Sequence, residues 1–311
     1  MNGKDATIGG VRRKWPVLLI LLGALFFAAW MPFYSDFLRP HNDSESDSLV
    51  ANALLHAAGR DAAPQTALGC FLPMIPGETA TLLTNVPTEI YFSSYGLQGH
   101  MAQTAYRLSG GMDLLKLAKI LRVTYSFLFG GVLMVFVASI LRDYGKVAAS
   151  ITWLAFALSP YFSFFGRSLH WQGWLIFLPV VFAWVAYPWA LERRKLPLFW
   201  GIIGAMVFVR CLVGYEFLSN ICLGAIARPI LMHLDGTGNH PALRSIVKAG
   251  ASSFVAVALG FILAFALHAK MMAPHFEGSF SASAKHIVDR ARDRTSQTLN
   301  QDDLNLLKGK T

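Results

Sequence analysis

The stretch Arg12–Asp36, "RRKWPVLLILLGALFFAAWMPFYSD", decides the architecture. Arg12, Arg13 and Lys14 precede an apolar run from Trp15 to Phe33, and polar chain follows. A helix crosses a bilayer core with about 20 apolar residues, so this run is long enough to span. Basic clusters favour the cytoplasmic side, which puts the N-terminus inside. The run is longer than a secretory signal core, and no small-x-small cleavage motif follows it. It therefore reads as a retained signal anchor.

The rest of the chain repeats this pattern. Of its 311 residues, 54% are hydrophobic and only 14% charged, against about 25% charged in soluble domains. Further apolar runs lie at roughly 118–141, 147–165, 171–190, 197–213, 217–232 and 249–268. The expectation is an all-α, polytopic transmembrane helix bundle of about seven spans. A long outer loop of interfacial helices, 35–116, separates spans one and two. Residues 1–14 form a cytoplasmic N-terminus, 15–270 the membrane module, and 271–311 a polar helical tail on the outside. "RDYGK" (Arg142–Lys146) and "ERRK" (Glu192–Lys195) mark inner turns. Span seven is rich in Ala, Gly and Ser, which predicts burial within the bundle.

The net charge of +9 raises nucleic acid as a partner. Much of it sits at the ends of apolar runs, where topology signals and lipid headgroup contacts account for it. No nucleic-acid partner is expected. Cys70, Cys211 and Cys222 lack metal-ligand spacing, and no structural disulfide is expected. No P-loop, dinucleotide fingerprint or nucleophile elbow is present, so cytosolic nucleotide chemistry has no support.

Polar residues concentrate on the predicted outer face. "HNDSESDSLVANALLHAAG" (His41–Gly59) sets Asp43, Glu45 and Asp47 on alternate positions before an amphipathic helix with Leu49, Ala53, Leu54 and Ala57 on one face. Ser44-x-x-Asp47 matches a capping box, and Gly59 a helix stop. Capping explains Ser44 and Asp47 and leaves Asp43 open to a second role. The alternating acids also resemble a calcium loop, without its turn glycine or distal Glu. Tyr95 and Gln98, in "YFSSYGLQG", are placed to stack on or hydrogen-bond a sugar, or to anchor an interfacial loop. Residues 100–118 read as a second surface helix. Arg167 and His170 fall between spans three and four, and Arg210 and Glu216 flank the turn between spans five and six. Ionisable groups so near the membrane are costly unless paired or functional. Arg210 and Glu216 either pair with each other or join an outer site able to bind phosphate.

This arrangement resembles the N-terminal membrane module of the GT-C glycosyltransferases, the group that includes protein O-mannosyltransferases and the aminoarabinose transferases of lipid A. The shared features are one span, a long outer loop opening with acids and a helix ending in Gly, then six spans with short loops. The resemblance covers about 15–270. It implies transfer of a sugar from a polyprenyl-phosphate donor to an acceptor on the outer face of a bacterial inner membrane. By the same resemblance Asp43 or Glu45 is the general base, with Asp36 as a rival, and Arg167 holds the lipid phosphate. Tyr95, Gln98, His170, Arg210 and Glu216 are the further substrate-binding candidates. The sequence requires no cofactor, and some relatives use a divalent metal. The alternative expectation is a non-catalytic membrane subunit that binds lipid or a partner enzyme in envelope assembly.

Overall fold

The computed structural model describes residues 5–37, 50, 53–55, 57–59, 70–71, 89–90, 94–234 and 243–297. The architecture is a helical bundle. Helix α1 spans Asp5–Phe37, α2 Leu97–Leu108, α3 Leu114–Leu158, α4 Pro160–Arg167, α5 Gly173–Glu192, α6 Leu196–Val213, α7 Leu218–Leu234, α8 Leu243–Met272 and α9 Phe280–Gln297. A two-residue antiparallel pair, β1 (Cys70–Phe71) with β2 (Glu89–Ile90), is the one strand pairing among the described residues.

Five helices among the described residues are long and apolar enough to cross a membrane: Val17–Tyr34 within α1, then α3, α5, α6 and Ile246–His275 at α8. Leu218–Met232 in α7 is a shorter apolar helix. Large apolar side chains stand exposed on α1 (Val17, Leu21, Leu22, Leu25) and on α8 (Phe254, Leu259, Ile262, Leu263). Such faces are costly in water and suited to lipid, as expected of an integral membrane protein.

Helix α3 is not one straight rod. Gly145 has φ 84° and ψ −178°, a conformation essentially reserved for glycine. The chain reverses there. Phe136 and Phe156 are 20 residues apart, which is about 30 Å along a straight helix, yet their ring centroids are 6.1 Å apart. The two arms, residues 114–144 and 146–158, therefore lie side by side. The second arm stops at Ser159, where Pro160 opens α4. The bundle end that carries Gly145 is called proximal here, and the end that carries α2 and the C-terminus of α1 is called distal. At the distal end Trp30 Nε1 donates to the Ala157 carbonyl at 2.7 Å and Tyr34 OH to the Leu158 carbonyl at 3.1 Å. These two bonds cap the last orphan carbonyls of the second arm.

Residues 50, 53–55 and 57 of the stretch expected to form an amphipathic helix are helical. Val50, Ala53, Leu54 and Leu55 are buried, and Val50, Leu54 and Leu55 pack with Ala102, Leu114, Leu117 and Leu169. Gly59 follows at φ 65°. The single surface helix expected over 100–118 is instead two elements. Gly110 and Gly111 take positive φ and end α2, and Asp113 Oδ1 caps α3 by accepting from Lys116 N at 3.0 Å.

Helix α8 also differs from expectation. Its buried residues are a narrow set, Ala249, Ser253, Ala256, Val257, Gly260, Ala264 and His268, with Ala269 and Met272 at its C-terminal end packed on Ile287 of α9. The helix lies at the edge of the bundle, and its small residues let α6 approach closely. A Cβ on Gly260 would stand 2.5 Å from the Gly204 carbonyl oxygen and 3.0 Å from Phe208 N. Both are backbone atoms, so neither can step aside. Gly260→Ala should lower the melting temperature of the detergent-solubilised protein by a cost of roughly 1–3 kcal/mol. Gly250→Ala meets nothing within 4 Å and should hold or raise it.

Candidate functional site

Polar side chains converge at the distal end. Gln98 lies in the first turn of α2 and is buried. Its amide nitrogen lies 3.1 Å from His170 Nδ1 and donates to the Val213 carbonyl at 3.4 Å. One turn further along α2, Met101 Sδ lies 3.8 Å from the amide nitrogen of Gln172, which also donates to Tyr125 OH at 3.3 Å. Helix α2 is thereby fixed to the 168–172 segment by two rungs and to the end of α6 by a third. The short turn after α6 places Glu216 beside Arg210, and Tyr215 OH lies 2.8 Å from His268 Nδ1. Burial above all, with lesser contributions from Cys211 and Glu216, pushes the Tyr215 phenol well above its ordinary range. It stays protonated and is available as the donor in that bond. Half-buried Tyr95 packs its ring 5.5 Å from His100, and burial lowers the His100 pKa.

Arg210 is the unusual member. Its side chain is 0% exposed, and its closest carboxylate atom, Glu216 Oε2, is 3.9 Å from Nη2. None of its three nitrogens has a hydrogen-bond acceptor among the described residues. A guanidinium offers five N–H donors. Leaving it buried without acceptors costs several kcal/mol, and Glu216 offsets little, since a partner 38% exposed is screened by water and such pairs are worth about 1 kcal/mol or less.

A second buried arginine is partnered at its terminal nitrogens, with Nε alone left without an acceptor among the described residues. Arg228 of α7 meets Asp143 Oδ2 at 2.9 Å, donates to Tyr144 OH at 3.3 Å, and stacks 5.2 Å over the Trp184 ring. It joins α7 and α5 to the Gly145 reversal at the proximal end. The charges on this face were expected to be topology signals alone; Arg228 and Asp143 instead form a buried structural knot.

The site residues expected from sequence divide accordingly. Gln98, His170, Arg210 and Glu216 come together in one distal layer. Tyr95 packs beside it against the same core as Tyr215 and Leu218. Arg167 ends α4 at the same end, half-buried. Asp36 falls in the last turn of α1. Asp43 and Glu45 lie outside the described residues. Gln172, Tyr125, Tyr215, His268 and Arg228 were missed. For His268 and Arg228 the signal was present, since each is an ionisable residue inside an apolar run. No group of three or more potential metal ligands occurs among the described residues.

No family model matches the chain, and no curated protein and no solved structure is significantly similar to it.

The two arginines should respond in opposite ways to removal of charge. Arg210→Met leaves no buried acceptor behind and should raise thermal stability by roughly 1–4 kcal/mol. Arg228→Met strips Asp143 and Tyr144 of a partner and should lower it. Thermal unfolding in one detergent checks both.

Proposed function

We propose that this protein is a GT-C-like integral membrane glycosyltransferase whose distal layer binds the phosphate of a polyprenyl-phosphate-linked sugar. The observation that carries this reading is Arg210, fully buried with no acceptor for any of its nitrogens. A residue that costs stability in this way is retained for a ligand. A guanidinium fits a phosphate through two parallel N–H···O bonds, and the one carboxylate beside it, Glu216, stands 3.9 Å away and is 38% exposed, so a phosphate would have to displace only a weak partner.

Seven crossings accompany the proposal. The five long helices supply four single spans and the folded α3; its second arm with α4 gives a further crossing, and α7 the last. The N-terminus is cytoplasmic, the distal end faces outward, and the membrane is a bacterial inner membrane. In the reaction, a carboxylate of the 36–47 segment takes the proton from the acceptor hydroxyl, with Asp43 first in line and Glu45 and Asp36 as rivals. The hydroxyl oxygen forms the new bond to the anomeric carbon as the bond to the lipid phosphate oxygen breaks. Arg210 holds the phosphate and neutralises the charge it gains. Arg167 is a second cation at the same end.

Binding and chemistry separate experimentally. Arg210→Gln should weaken binding of polyprenyl phosphate to the purified full chain by at least tenfold, about 1.4 kcal/mol, in a fluorescence-quench titration. Asp43→Asn should leave that binding intact and abolish sugar transfer in proteoliposomes. Unchanged affinity in Arg210→Gln contradicts the proposal. A chain that binds the lipid, transfers nothing by itself and co-purifies with a larger membrane protein is the non-catalytic subunit.

A further inference from the structure

Helix α9 is held at the end of a membrane-spanning helix, yet it cannot enter the membrane core. The apolar window of α8 runs over Ile246–His275. Gly278 then takes a positive φ of 75° in a tight turn, and Ser279 Oγ caps α9 by accepting from Ala282 N at 3.2 Å. Ala284 and Ile287 pack with Phe265, Ala269 and Met272, in the last two turns of α8. Helix α9 therefore sits at the level where α8 leaves the hydrocarbon. Its own sequence holds Lys285, Asp289, Arg290, Arg292, Asp293 and Arg294, and so many charges keep it out of that hydrocarbon.

The protein covers only part of the apolar side of α9. Ser283 and Ile287 are buried, whereas Phe280 is 49% and Val288 55% exposed. Phe280, Ala284 and Val288 follow one another at four-residue spacing, so they form a ridge beside Ile287. Lys285 and Arg292 are exposed and stand three residues before and four residues after Val288, on the same flank. Going round the helix from Val288, both cations come before Asp289. Neither Lys285 nor Arg292 forms an ion pair among the described residues.

We infer that α9 lies in the bilayer surface, with Phe280 and Val288 inserted at the acyl boundary and Lys285 and Arg292 bound to the phosphates of anionic lipids. An exposed apolar ridge with cations along its flank is what an interfacial helix presents to a membrane. The two layers of the occupant match the two parts of the surface, acyl chains for the ridge and phosphates for the cations. The level of α9 against the end of α8 brings that occupant to it without any movement of the fold. The inference stands apart from the reading of Arg210 and needs no sugar. Tyr215 packs in the same cluster as Ile287, so an anchored α9 braces the rim of the distal layer.

The test is hydrogen exchange on the full chain in nanodiscs of phosphatidylcholine alone and of phosphatidylcholine mixed with phosphatidylglycerol. Amides of α9 should exchange about tenfold more slowly in the mixed discs, since each cation at an anionic surface gains roughly fivefold in affinity. Amides of α5 should exchange equally in both. Added salt should erase the difference in α9. The double variant Lys285→Gln with Arg292→Gln should lose most of the slowing and melt at the wild-type temperature, because both side chains are exposed. Val288→Gln should speed the exchange of α9 in both kinds of disc. Equal exchange of wild-type α9 in the two discs overturns the inference, and so does a double variant that keeps the full slowing. A Val288→Gln chain whose α9 exchanges as slowly as the wild type assigns the ridge to water and overturns it as well.

Discussion

The contact between α6 and α8 governs the distal layer. Gly260 backs onto the Gly204 carbonyl, and Ala256 and Ala264 continue the same stripe. In lipid there is little hydrophobic drive between helices, so close approach through small residues supplies the packing. That approach aligns the ends of the two helices. Tyr215, just past α6, meets His268 near the end of α8. Arg210, one turn earlier, is sealed from solvent. A bulkier stripe would separate the helices and let water reach the guanidinium, removing the property on which the site depends.

The two buried arginines separate architecture from function. Arg228 spends its two terminal nitrogens on Asp143 and Tyr144 and its flat face on Trp184, and in doing so ties α5 and α7 to the α3 reversal. Arg210 spends none on hydrogen bonds among the described residues. Burial alone is the same in kind for both. The difference lies in the acceptors, and it makes the proximal end a fixed base and the distal end an unfinished site.

Much of the architecture was legible because apolar runs and their basic flanks obey simple rules. "RDYGK" marked the reversal of α3, and Gly145 supplies it. Gly59 takes the positive φ that its reading as a helix stop implied. The lateral place of α8 was not legible: small residues predict close packing on one face, and the face count depends on neighbours that sequence does not reveal. For the site, Arg210, His170, Gln98 and Glu216 stood out as polar residues beside apolar runs. Gln172 did not, because an uncharged residue in "HWQGW" carries no sign of its backbone conformation. Arg167 drew attention through charge and location, while Arg210 proved the more deeply buried. Asp43, the sharpest candidate for chemistry, is a matter for activity rather than for the described geometry.

The account's central claim is that Arg210 awaits a phosphate. A cryo-EM map of the full chain in lipid nanodiscs loaded with polyprenyl phosphate tests it most directly. The account predicts phosphate density about 3 Å from the Arg210 guanidinium nitrogens, with the lipid chain leaving between distal helix ends. Arg210 met only by protein carbonyls or water, with the phosphate bound elsewhere, would contradict it.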